Sequence, residues 1–193
     1  MIGSDAAPPT RGPNGFPYRG GSDGILAVGW GSGVTDFTYL ISPIEAIQGR
    51  ARKDGTAIDW HFDDFGLADA QSVALGTDAA LVFIKANSGE GFLIVDGNVC
   101  DTNPCIYVNL RLKSVPLRLQ DGDRNNLTAW ANGDNLVNAV ASVHKNTIVV
   151  VNSVGPLNVE LWIDHPNVTA VSSWTLNSSS WGSITLTRYS LAP

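Results

Sequence analysis

Two stretches of the chain are apolar without alternation. One is Ala80 with Leu81–Ile84; the other is Thr147–Val151, reading TIVVV. A half-exposed strand alternates apolar and polar residues, whereas a strand covered on both faces does not, so both predict buried strands of a parallel sheet. Elsewhere the period changes. Ser42-Pro43-Ile44-Glu45 has the form of a helix start, with Ser as N-cap, Pro in the first turn and Glu reaching back. That helix is predicted to run to about Lys53 and to stop at Asp54-Gly55. A second helix is predicted over Leu67–Leu75, closed by Gly76. A third begins at Asn132-Gly133-Asp134, places Leu136, Val137 and Val140 on one face, and ends near the basic pair His144-Lys145.

Shorter signals fill the intervals. Thr56–Phe62 and Val168–Val171 read as strands, and Leu161-Trp162 as a short helical turn or loop. Residues 1–24 hold four of the ten prolines and read as a loop. Ile25–Trp30 is a brief apolar run ending in Gly29-Trp30-Gly31-Ser32-Gly33, a turn whose glycines permit close backbone approach. Helix and strand alternate throughout, so the predicted class is α/β, with a single mainly parallel β-sheet flanked by helices.

The first buried strand breaks into Asn87-Ser88-Gly89-Glu90-Gly91. Loops at the carboxyl ends of parallel strands are where open α/β sheets bind ligands. A glutamate set between glycines at the end of a rigid strand is a candidate general acid; the plain alternative is a solvated loop carboxylate. Other polar residues read as structural. Asp123-Arg124 suits an internal ion pair or loop clamp, and His165, in Asp-His-Pro, suits the ordering of a turn. His61 and His144 stand singly and read as surface or structural residues. Trp130 and Trp162 serve either as sugar platforms or as core and domain contacts.

With 193 residues, 44% of them hydrophobic, the chain can bury one sizeable core. A net charge of −6 argues against nucleic acid or an anionic membrane as partner. No apolar run reaches the length of a membrane span, and residues 1–15 do not have the form of a signal peptide. The two cysteines, Cys100 and Cys105, have no histidine near them and make a poor zinc site, so no metal is expected. Asn126-Leu-Thr128, Asn167-Val-Thr169 and Asn177-Ser-Ser179 match the glycosylation sequon, which matters in a secreted protein. The six tryptophans and the many Asn, Ser, Thr and Gly residues suit such a sugar-handling protein.

Several blocks follow one another in a telling order: GWGSG (29–33), ISPIEAIQ (41–48), LVFIKANSGEGF (81–92), VDGN (95–98), GDRNNLTAW (122–130), NGDNL (132–136), NTIVVVNSVGP (146–156) and DHPNVTAV (164–171). Together they closely resemble the C-terminal α/β sandwich domain of fungal glycoside hydrolase family 3 β-glucosidases, over roughly residues 2–98 and 121–171. The resemblance implies a retaining glycosidase acting on β-linked glucosides such as cellobiose, secreted, with no cofactor. An N-terminal (β/α)8 barrel would supply the aspartate nucleophile, and this domain the general acid/base. Carried over by position, Glu90 matches the acid/base and Ser32 a serine that reaches glucose. Phe92 stands where the family often has Tyr on the aglycone side.

Three departures qualify the resemblance. The chain starts at Met1 inside the sandwich domain, so the barrel is missing and the chain alone is expected to be inactive. Its role could then be that of a stand-alone, non-catalytic domain binding sugar or a partner protein. Secondly, Val99–Gln120 has no counterpart in the family. Val codons begin GT and a Gln codon can read CAG, so the segment fits a short intron retained in frame; the alternative is a genuine surface insertion. Thirdly, after Val171 the chain departs from the family pattern. The expected division is thus a family domain over 1–171, interrupted at 99–120 and truncated at its C-terminus, followed by a divergent tail, 172–193.

Overall fold

The structure, a computed structural model, describes residues 1–15, 23–29, 34–87, 124 and 126–175. Its centre is a parallel sheet of three strands in the order β1 (Ala80–Ala86), β2 (Thr147–Ser153) and β3 (Val168–Thr175). Val82 pairs with Val149 and Lys85 with Asn152 across β1 and β2; on the other side Ile148 pairs with Ala170, with a bulge at Thr147/Ile148. Both apolar runs are strands, and the reason for their continuity is visible in the packing. Val82 and Ile84 of β1, with Val149 and Val151 of β2, join a core with Leu136, Val137 and Val140 of α3 (Gly133–Val143) and Ala70 and Ala74 of α2 (Leu67–Ala74). The residues between them turn the other way. Phe83 and Val150 pack with Ala6, Ile47 and Phe62 on the side of α1 (Pro43–Asp54). Covered on both faces, neither strand has a polar side to show.

The boundaries of α1 follow from its end chemistry. At α1 the Glu45 carboxylate accepts from the Ser42 backbone N–H at 2.8 Å and from its hydroxyl at 2.7 Å, and Gly55 closes the helix with φ 70°. The second helix stops at Ala74, one residue short of the predicted Leu75. The third ends at Val143, just before His144. That histidine is buried, not displayed: Nε2 lies 3.0 Å from the Thr77 carbonyl oxygen, and Nδ1 accepts from Asn146 N–H at 3.2 Å.

Two expectations need correction. The N-terminal segment is not wholly loop. Ile2 forms parallel bridges to both His61 and Val82, with its N–H on the Leu81 carbonyl at 2.9 Å, and Ser4–Ala6 is a 3-10 turn. One bridging residue is too short to carry a period, so no pattern announces it. Conversely, Thr56–Phe62 is not a strand. Only His61 pairs, through its N–H to the Met1 carbonyl and its carbonyl from Gly3 N–H, both at 2.9 Å. The last strand is longer than predicted, running past Val171 to Thr175. Val99–Gln120, both cysteines and most of the tail lie outside the described residues.

Candidate functional site at the carboxyl ends of the strands

The ends of β1 and β2 are tied together and crowded by loops. Val154 N–H, just after β2, donates to the Ala86 carbonyl at 3.2 Å; Trp130 N–H donates to the Lys85 carbonyl at 2.8 Å. Gly29 rests on the same point: a Cβ there would lie 2.5 Å from Val154 Cγ1, so a larger residue would require Val154 to shift. Asn87, following β1, is buried. The described chain therefore reaches this end of the sheet by two routes, one ending at Gly29 and one at Asn87. Ser32, Glu90 and Phe92, which follow those two points, lie outside the described residues.

Beneath this surface is a buried polar cluster that the sequence reading passed over. Lys85, 4% exposed, donates from Nζ to the Gly24 carbonyl at 2.6 Å. Asp5, 2% exposed, accepts from Leu26 N–H at 2.7 Å and lies 3.4 Å from Asn152 Nδ2. Asp64 accepts from the Ser4 backbone N–H at 2.7 Å and from its hydroxyl at 2.5 Å. One signal was present in the sequence, a lysine set between Ile84 and Ala86 in an otherwise apolar strand.

Burial governs the charges here. It pushes the Asp5 carboxyl from an ordinary 3.8 up to about 6, against the opposing pull of Lys85, the Leu26 N–H and Asn152. Asp64 is raised for the same reason, and Lys85 is lowered by burial, opposed by Asp5 and Asp64. A carboxyl whose folded pKa exceeds its unfolded value contributes stability that is fully present below pH 3.8. That stability is lost as pH rises through about 6. The difference for Asp5 is roughly 3 kcal/mol. Urea denaturation is therefore expected to show the chain more stable near pH 4 than at pH 7, with Asp64 acting in the same direction. Asp5→Asn should flatten much of that profile; an unchanged profile, or one rising with pH, would contradict the assignment.

The remaining sequence candidates are placed as follows. Arg124 is a loop clamp, its Nη2 donating to the Pro156 carbonyl beside Gly155; burial lowers its pKa, and Asp123 lies outside the described residues. His165 orders its turn, with Nδ1 accepting from Asn167 N–H at 3.2 Å and its carbonyl from Val168 N–H at 2.9 Å. Trp130 and Trp162 are core residues, 2% and 1% exposed, and so cannot offer a face to a sugar. The two described sequons differ. Asn126 Oδ1 accepts from the Thr128 hydroxyl at 2.7 Å, whereas Asn167 already commits the nitrogen a glycan would take, donating to the Ala141 carbonyl at 2.7 Å. Among the described residues no three His, Cys, Asp or Glu side chains converge as a metal site requires. None of the described helices is long and apolar enough to cross a membrane.

Comparison with known proteins follows the same outline. Residues 1–185 match the glycosyl hydrolase family 3 C-terminal domain. The chain is 40% identical over 171 residues to Beta-glucosidase 1 of Aspergillus aculeatus, covering 89% of this chain and 17% of that protein. It is 43% identical over 171 residues to Probable beta-glucosidase L of Aspergillus fumigatus, covering 89% and 20%. Among solved structures it is similar to a family 3 β-glucosidase of Neurospora crassa, with TM-score 0.71, 39% identity and coverage of 88% and 18%. A Chaetomium thermophilum β-glucosidase gives TM-score 0.70 at 42% identity, with the same coverage. The chain thus spans a fifth or less of the length of these relatives.

Proposed function

The chain belongs to the glycosyl hydrolase family 3 C-terminal domain family, and from that premise we propose that it is the acid/base-bearing part of a retaining β-glucosidase. The observation that carries this reading is the 40% identity to a β-glucosidase over 89% of the chain. Glu90 is the general acid/base: it protonates the glycosidic oxygen as the aglycone leaves, then as a carboxylate draws the proton from the incoming water. Ser32 hydrogen-bonds the glucose, and Phe92 offers an apolar platform on the aglycone side.

The second carboxyl of a retaining pair must stand roughly 5–5.5 Å away and attack the anomeric carbon. The reading assigns it to a (β/α)8 barrel domain, the chain's principal partner. Two features support Glu90. It follows a strand buried on both faces, a rigid base for a group that must be held in place. The strand it follows in sequence also ends on the side of the sheet where ligands are bound in α/β folds. The substrate is a β-linked glucoside of the cellobiose type, met outside the cell in cellulose breakdown, and Asn126 is the better placed of the two described glycan acceptors. Val99–Gln120 is a retained intron or an inserted surface segment, and 172–193 a divergent tail.

Hydrolysis of an aryl β-glucoside tests the division of labour. The chain by itself should give no turnover, and adding a family 3 barrel domain should produce it. Turnover by the chain by itself that Glu90→Ala abolishes would overturn the reading.

A further inference from the structure

A loop outside any sheet must find partners for its backbone groups, and loop 23–29 finds them on three separate elements. Lys85 on β1 donates to the Gly24 carbonyl at 2.6 Å. Asn152, its register partner on β2, donates to the Leu26 carbonyl at 2.6 Å, and Asp5 from the 3-10 turn accepts the Leu26 N–H at 2.7 Å. All three side chains are more than nine-tenths buried. Such a set is not the most stabilising choice, because well-packed apolar residues of similar volume often serve stability as well or better. What it adds is direction. Each bond fixes one backbone atom of the loop relative to the ends of β1 and β2, and the loop then runs on to Gly29, seated against Val154.

We propose that Lys85, Asp5 and Asn152 are positioning residues of the sugar site, holding Gly24–Leu26 in the one conformation that delivers Gly29 to the strand ends. The proposal rests on the family 3 reading, in which Ser32, shortly beyond Gly29, reaches glucose. None of the three touches the sugar; each acts through the loop.

The test uses the full chain with Lys85→Met, and with the double variant Asp5→Asn/Lys85→Met, which does not leave the Asp5 carboxylate buried without Lys85. Amide exchange at Leu26 and Ala27 should accelerate about tenfold or more in both variants, while Val149–Val151 keep wild-type protection. Glucose titration followed by NMR should show the dissociation constant rising about fivefold, since less of the chain holds the binding conformation. Unchanged exchange in the loop would overturn the proposal. So would loss of protection across the whole chain in both variants, which would make the cluster a folding element alone. Ser32→Ala separates the two levels. If it weakens glucose binding and Lys85→Met does not, the positioning role falls and the family 3 reading stands. If Ser32→Ala has no effect on binding, the assignment of Ser32 falls and takes the proposal with it.

Discussion

Glu90→Ala is expected to slow hydrolysis of poor-leaving-group β-glucosides by about 10²–10⁴-fold when the chain acts with a barrel domain. The size of the loss should depend on the aglycone. An alkoxide or sugar leaving group needs its oxygen protonated as the bond breaks, so such substrates should lose most. A dinitrophenolate leaves without a proton, so its glycosylation step should be nearly spared. Its turnover is then limited by water attack on the glycosyl-enzyme, for which the same carboxylate is the base. KM should fall with kcat for the activated substrate as that intermediate accumulates. A loss equal for all aglycones would instead assign Glu90 a merely structural part.

Trp162→Ala is expected to cost about 3–5 kcal/mol of folding stability. Trp162 is 1% exposed within the core formed by α2, α3 and the sheet, and its indole N–H donates to Asp134 Oδ1 at 2.8 Å. The other carboxylate oxygen of Asp134 accepts from Ala129 N–H at 3.1 Å. One indole thus holds both the turn before β3 and the start of α3. Truncation opens a cavity and leaves a buried carboxylate oxygen without its donor, two costs on one residue. Trp162→Phe separates them, keeping most of the apolar contact and losing only the hydrogen bond, for about 1–3 kcal/mol. Urea denaturation reads both. A loss below about 1 kcal/mol for Trp162→Ala would mean the core does not depend on it.

The contrast between Trp162 and its neighbour shows what the sequence could and could not reveal. Leu161 is 65% exposed and Trp162 buried, though both lie in one turn with no period to tell them apart. Where a period existed, the structure follows it closely: the two continuous runs are β1 and β2, and the i, i+1, i+4 apolar residues of α3 face them. Pairing made by a single residue was not legible. Ile2 enters the sheet through hydrogen bonds to Leu81 and Phe83, partners remote in sequence, and no local pattern encodes that. The polar cluster was hidden for a related reason. Asp5, Lys85 and Asn152 are scattered along the chain; Asp5 and Asn152 look like ordinary surface residues until the strands bring them beneath one loop, and only Lys85, set between Ile84 and Ala86, stands out in the sequence. Glu90 and Ser32 are assigned by family motif alone and lie outside the described residues, which stop short of them at Gly29 and Asn87.

The acid/base role of Glu90 is tested most directly by azide. Without the base, a Glu90→Ala glycosyl-enzyme should wait for a nucleophile that needs no deprotonation, and azide is one. Adding it to the variant, combined with a family 3 barrel and a dinitrophenyl β-glucoside, should restore turnover and yield β-glucosyl azide, with the anomeric configuration retained. An α-configured azide would mean that the missing group was the nucleophile, and no acceleration by azide would mean that Glu90 is not the acid/base.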